Sequence, residues 1–360
     1  MKPGFLRCLR PGTSSTGLKL ARGEVATTWL AIGAGVLLSM MTFQAMASEP
    51  EWSPSRVKDC DRECLVGFMD GYMNAIYEHD PKAVPPLSVD VRMTENTGHM
   101  GLGEGVLWRS KVEPTAFKIY VADPVTGQVA LQTRLLIQGR SALVAVRLKV
   151  DRGQISEIEQ LYDRNINDAA IPLLTTPRPG LVTDIPVAER TSREVLAYAA
   201  NSYFDALEGD DGKIAAFADD CVRHENGYQT VNNPPPGGRM MPAPPLPNPD
   251  TPQGKEQLRF SMLTCSQQID SKIFAFMKHI RPRHAMILDQ QKGVATIFCL
   301  FVLDGTRRGA KPDDPPGMLT NAMIVESFGI RGGQIHEVEA MPFVTIPYGL
   351  GDGWTEGSGR

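Results

Sequence analysis

The chain has 360 residues, of which 42% are hydrophobic and 22% charged, with a formal net charge of −4. That is enough apolar material for two ordinary domains. The mildly acidic balance argues against a nucleic-acid partner.

The first residues form a separate unit. Arg7, Arg10, Lys19 and Arg22 precede an apolar run from Trp29 to Phe43, followed by Ala45-Met46-Ala47 and Ser48. A basic stretch, an apolar stretch and a small-x-small site read as a secretory signal over 1–47, cleaved after Ala47. The apolar run of 15 residues is shorter than the roughly 20 a spanning helix needs, so no stable membrane insertion is expected once the leader is gone. The expected destination is the periplasm or the cell exterior, where disulfides persist. Five cysteines then remain, Cys60, Cys64, Cys221, Cys265 and Cys299, an odd number that leaves at least one unpaired. Cys60 and Cys64 are close enough for a bridge, although a regular helix does not favour its geometry. Cys221 and Cys299 lie in strand-like runs and read as buried small hydrophobes.

Cys60, Cys64, Leu65, Phe68, Met69, Tyr72, Met73 and Ile76 recur at helical spacing, so a helix opens the mature chain. A breaker-rich segment leads to a strand ending in Glu95-Asn96, and further strands are predicted at 116–122, 128–138, 141–150 and 154–162. Residues 166–187 begin a proline-bearing stretch that reads as a linker. A second helix follows the capping-box pattern Thr191-Ser-Arg-Glu194, with Val195, Leu196, Ala199, Tyr203 and Leu207 on one stripe. Its strands are predicted at 272–280, 284–290, 294–303, 319–330 and 334–344. The prolines of 232–252 exclude helix and interior strand, making that insertion an extended surface loop: a lid, a partner-binding arm or a passive insertion. A second loop runs from Asp304 to Gly317, and 346–360 reads as a flexible tail.

These elements say nearly the same thing twice. Each half has a helix, a strand carrying Glu-Asn (Glu95-Asn96, Glu225-Asn226) and a closing hairpin, Gly153-Gln-Ile-Ser-Glu-Ile-Glu159 and Gly333-Gln-Ile-His-Glu-Val-Glu339. Helix first and a curved antiparallel sheet after it is an α+β layout. The arrangement resembles the SnoaL-like branch of the nuclear transport factor 2-like superfamily, over 58–165 and 188–345. The resemblance implies two tandem cone-shaped α+β barrels, helices packed on a strongly curved sheet around an apolar pocket, forming a pseudo-dimer in one chain. It implies a monomeric pseudo-dimer or a further homo-oligomer, no metal and no organic cofactor, and a range of chemistries that includes proton transfer, dehydration, cyclisation and binding without catalysis. Fold alone does not choose among them.

Candidate site residues follow from strand parity. Glu95 shares a face with Val91 and Met93, so it points where the apolar residues point; desolvation would raise its pKa into the range useful for acid–base work. Alternatively it ends the strand and binds backbone or Arg109. Cys221, Arg223 and Glu225 oppose Val222, His224 and Asn226, and either face can be the interior one. His224 and Glu225 are both titratable candidates, but as strand neighbours they cannot enter one pocket. Glu326 shares a face with Ile324, Phe328 and Ile330 and aligns with Val146 of the first half. Tyr72 and Tyr203 are candidate oxyanion donors or plain core. Asn96 and Asn226 are ligand-binding candidates, or left-handed turn residues before Gly98 and Gly227. Trp108 is a further ligand-binding candidate. So is Arg147, since a buried Arg needs a carboxylate or an anionic ligand. The scattered histidines and absent zinc spacing give no metal site, and serine-hydrolase, nucleotide and NAD motifs are missing.

Two functions remain. One is an exported, cofactor-independent lyase, dehydratase or isomerase acting on a hydrophobic, aromatic or polycyclic small molecule. The other is a non-catalytic exported protein that binds an apolar ligand or a protein partner. The differences between the copies, Glu326 against Val146, His224 against Thr94 and the insertion, are where function is expected.

Overall fold

The computed structural model describes residues 60–238, 248–309 and 317–359; the expected leader, the middle of the proline-rich insertion and part of the 304–317 loop lie outside the described residues. In the first repeat α1 (Arg62–Glu78) starts at Asp61, whose carboxylate accepts from the Cys64 N–H, and ends at His79 in the left-handed region. It buries Leu65, Met69, Tyr72, Met73 and Ile76 of the predicted stripe, with Cys60, Cys64 and Phe68 half-buried. β1 (Leu87–Glu95), β2 (Gly98–His99), α2 (Gly105–Arg109), β3 (Val112–Asp123), β4 (Gln128–Ile137), β5 (Arg140–Asp151) and β6 (Gln154–Asp163) follow. A linker with a 3₁₀ turn (Asp168–Leu174) and α3 (Pro179–Val182) leads to the second repeat. That repeat is built from α4 (Arg193–Gly209), β7 (Phe217–Glu225), β8 (Tyr228–Gln229), α5 (Pro252–Ser261), α6 (Cys265–Asp270), β9 (His279–Asp289), β10 (Val294–Asp304), β11 (Leu319–Arg331) and β12 (Gln334–Pro347).

Each repeat is a six-stranded mixed sheet, ordered β2-β1-β6-β5-β4-β3 and β8-β7-β12-β11-β10-β9. The strand after the first helix runs parallel to the last strand; the other pairs are antiparallel. Register makes the repeats superimposable in sequence. Glu95 faces Gln160 as Glu225 faces Ala340, and Val146 faces Gln160 as Glu326 faces Ala340. The fold is thus tandem α+β, and Glu326 and Val146 are equivalent positions, as the hairpin alignment predicts.

The sheets pack on each other through apolar residues that include Phe117, Ile119, Leu143, Phe298, Leu300 and Val325. Around this seam a pair of contacts is exchanged with pseudo-two-fold symmetry. Arg62 pairs with Asp289 (2.9 Å), which also accepts the Ala122 N–H; Arg193 donates to Asp123 (2.8 Å), which also accepts the Leu288 N–H. Inside the seam Gln132 donates to the carbonyls of Val325 and Met341 and accepts from Ser327.

The chain segments that follow each last strand are exchanged too. The linker lies on the second sheet, where Arg178 pairs with the buried Glu339 (2.5 Å) and Leu174 and Leu181 are buried. The segment after β12 returns to the first sheet: the Trp354 indole N–H donates to Thr94, and its ring lies 4.7 Å from both the Arg92 and Arg147 guanidinium carbons. Asp352 is fully buried against His284 (3.1 Å), which also contacts Glu159 (2.9 Å). Burial alone would lower the His284 pKa, but Glu159 and Asp352 outweigh it and raise it to about 9. The expected flexible tail is therefore a docked segment, held by an ion pair and a stacked indole that its Gly-rich composition conceals.

Three further expectations are corrected. The second helix is capped by Ser192, which accepts from Val195 N–H, and not by a Thr191–Glu194 box. The runs 272–280 and 284–290 become turns to residue 278 and one continuous strand, β9, because Phe274, Ala275 and Met277 are buried without joining the sheet. The proline-rich insertion leads into α5, whose first residue is Pro252. Cys221 is no free hydrophobe; it is bonded to Cys265, which a capping box at Thr264 and Gln267 sets at the start of α6. Cys60 and Cys64 are also bonded, and Cys299 is free and buried. No helix among the described residues is long and apolar enough to cross a membrane.

A candidate active site in the second repeat

A cavity of about 760 Å³ opens in the second repeat, walled by Phe274, Met277, Phe301, Ile324 and Phe343. Arg223, Glu225 and Glu326 form its polar end, and Asn96 with residues 162–167 of the first repeat and linker contribute to its lining. The cavity thus draws on both copies.

β7 sends Cys221, Arg223 and Glu225 inward, which resolves the open parity. The Arg223 guanidinium bonds Glu225 (2.9 Å), the Tyr203 hydroxyl oxygen (2.8 Å) and Thr230 (3.1 Å), and lies 5.3 Å from the Phe274 ring centre. Burial disfavours its charge, but Tyr203, Glu225 and Glu326 keep it protonated. Tyr203, fully buried on α4, accepts from Arg223 and lies beside Glu326; burial raises its pKa well beyond the ordinary phenol range, so it stays protonated. Glu326 on β11 is 1% exposed, and its Oε2 has no hydrogen-bond partner among the described residues. Burial raises its pKa to about 7, with Arg223 opposing and Glu225 reinforcing the rise. A carboxyl that titrates near neutrality, touching a phenol and close to a guanidinium, can take up or release a proton beside an apolar ligand.

The first repeat places its equivalent residues differently. Tyr72 accepts from the Trp108 indole (3.2 Å) and the Gln160 amide (3.0 Å) in a packed core with Met93 and Val146. Glu95 accepts the N–H groups of Val106 (2.6 Å) and Leu107 (3.1 Å) at the start of α2. Burial still raises its pKa against those two donors. Gly105 is required there: a Cβ would sit 2.8 Å from the Glu95 carboxyl. Tyr72, Trp108 and Glu95 thus make packing and turn-holding contacts, and none of them lines the cavity of the second repeat. Arg147 has its carboxylate partners, Glu159 (2.9 Å) and Glu157 (2.6 Å), at the seam, so it needs no anionic ligand.

His224 points away from the cavity into a smaller hollow of about 440 Å³ beside Arg178. Burial foremost, then Arg178, lowers its pKa to about 3, so it stays neutral; it does not join Glu225. Asn96 and Asn226 both take left-handed backbone, with φ of 45° and 47°, and both line the cavity. Among the described residues no group of three His, Cys, Asp or Glu is arranged to hold a metal. Parity alone signalled Glu326. The role of Arg223 was missed, although an Arg between Cys221 and Glu225 on one strand face was the available sign.

Residues 189–342, the second repeat, match the model of a domain of unknown function, DUF8021. No curated protein matches the chain in sequence. Among solved structures the chain is similar to an NTF2-like protein of unknown function from Cytophaga hutchinsonii (14% identity, 28% of this chain and 89% of that one, TM-score 0.24). It is also similar to RV0760c from Mycobacterium tuberculosis (12% identity, 42% and 94%, TM-score 0.26). A de novo designed protein with a curved β-sheet is a third likeness (20% identity, 29% and 88%, TM-score 0.24).

Proposed function

We propose that this is an exported, cofactor-independent enzyme of the lyase, dehydratase or isomerase type, in which Glu326 moves a proton on a hydrophobic small molecule held in the second repeat. The observation that carries the reading is Glu326 itself: a buried carboxyl in a large, mainly apolar cavity, one oxygen unpartnered, its pKa raised to about 7. At neutral pH such a group is divided between base and acid, where Brønsted behaviour makes proton transfer most useful, supplying on the order of 10²–10⁴-fold in rate. The Tyr203 hydroxyl steadies the carboxylate. Arg223, in the same cavity, supplies positive charge toward an oxygen that becomes negative when a neighbouring C–H loses its proton. The basic-then-apolar leader and the two disulfides support export.

The test is solvent-deuterium incorporation next to the carbonyl of a panel of cyclic ketones and enones, followed by mass spectrometry. The protein from residue 48 onward is expected to accelerate exchange, with the rate rising through a midpoint near pH 7. Glu326→Gln should lower the rate by about 10²–10⁴-fold. Equal exchange with both proteins and undiminished ligand retention would leave the non-catalytic binding protein as the function.

A further inference from the structure

The two Asn turns are built alike but end differently. Asn96 N–H donates to the Gln160 carbonyl (2.9 Å), and Asn226 N–H to the equivalent Ala340 carbonyl (3.0 Å). In the first repeat the Asn96 side chain is then closed off by one residue: its Oδ1 accepts the Tyr162 N–H (2.9 Å) and its Nδ2 donates to the Tyr162 carbonyl (3.0 Å). The position two residues beyond Ala340 is Pro342, which has no N–H to give. The Asn226 Oδ1 is accordingly buried with no hydrogen-bond partner among the described residues, in a residue that lines the cavity. Native folds seldom leave a buried acceptor unmet, and one beside a cavity is explained by a bound water or by a ligand.

We infer that Asn226 is a substrate-positioning residue, whose carboxamide oxygen accepts a hydrogen bond from a hydroxyl or N–H group on the apolar molecule that enters the cavity. The inference rests on the cavity being the ligand site, and it narrows the ligand class. Asn226 and Glu326 both line this mainly apolar cavity, and each keeps a buried oxygen without a hydrogen-bond partner among the described residues, Oδ1 and Oε2. The fitting ligand is an apolar ring system bearing hydrogen-bond donors. A site built around an unmet acceptor discriminates against an analogue that lacks the donor, because the protein group then stays unpaired.

The probes are 2-naphthol and 2-methoxynaphthalene, which differ by the donor O–H, titrated by fluorescence against the protein from residue 48 onward. The wild type should bind 2-naphthol about tenfold more tightly, the factor an ordinary net hydrogen bond supplies. Asn226→Gly keeps the left-handed backbone without strain and should bring the two affinities together. Asn226→Asp, which retains an acceptor, should preserve the preference for 2-naphthol. A preference undiminished in Asn226→Gly, or lost equally in Asn226→Asp, overturns the inference. If Glu326→Gln abolishes deuterium exchange while Asn226→Gly keeps the full preference, the proton-transfer reading stands and this one falls. If neither naphthalene binds the wild type at millimolar concentration, the cavity is no site for apolar rings and both fall.

Discussion

Tyr72 and Tyr203 occupy the same place on equivalent helices, yet Tyr72 is bonded by Trp108 and Gln160 over Met93 and Val146, while Tyr203 touches Arg223 and Glu326. Where Gln160 fills the first interior, Ala340 leaves space in the second. The contrast shows one fold as a packed core and as a hollow, charged interior, and three equivalent positions differ there: Met93 against Arg223, Val146 against Glu326 and Gln160 against Ala340. It also explains why the shared glutamates behave differently. Glu95 is held by two backbone N–H groups of α2, whereas Glu225 is paired with Arg223.

The largest expected effect follows from that dependence. Arg223→Met, which installs the first repeat's residue, removes the cation between Glu225, Tyr203 and Glu326. Breaking a buried pair on one side costs about 3–5 kcal/mol, because the remaining charge is left without compensation. Denaturant unfolding should show a loss of that size, and adding Glu225→Gln should recover part of it. A loss below about 1 kcal/mol, in the range of exposed pairs, would mean that Glu225 is solvated and that Arg223 and Glu225 are not a buried pair.

Much of this contrast was legible in the sequence because side-chain parity and the hairpin motif are local. The two Gly-Gln-Ile hairpins set the register, and Ile324, Phe328 and Ile330 place Glu326 on a buried face. What was not legible depends on distant chain. Whether an interior is full or hollow turns on Gln160 against Ala340, two residues that are both buried in strands of matching pattern. The Cys221–Cys265 bond spans 44 residues, including the proline-rich insertion, whose path no periodicity encodes. The last residues looked free because their anchors, Arg92, Arg147 and His284, belong to three separate strands.

A second effect separates the copies by pH, since Val146 cannot titrate and Glu326 can. In the unfolded chain Glu326 ionises near the ordinary carboxylate value, about 4.3; in the fold, burial raises it to about 7. Below about pH 4 both states are protonated and its contribution is fully present. Between there and pH 7 the unfolded state releases its proton first, so stability falls as pH rises, and above the folded pKa the loss is complete at about 4 kcal/mol. Glu339, raised to about 7 mainly by burial, adds a parallel slope. The informative quantity is therefore the difference between wild type and Glu326→Gln, measured by denaturant unfolding from pH 4 to 9. A difference that does not change with pH would show that the Glu326 carboxyl is not desolvated.

The smallest change in stability should carry the sharpest functional consequence. Ala340→Gln rebuilds in the second repeat the residue that fills the first, and its amide can reach Tyr203 as Gln160 reaches Tyr72. Because the added volume enters existing space and brings its own hydrogen bond, unfolding should shift by less than about 1.5 kcal/mol. Affinity for 2-naphthol should nevertheless drop more than about tenfold, since the side chain and the ligand compete for one chamber; each factor of ten corresponds to about 1.4 kcal/mol. Unchanged affinity in a folded Ala340→Gln protein would place the ligand elsewhere. The hollow of the second repeat would then be a packing difference between two copies, with no bearing on what the protein binds.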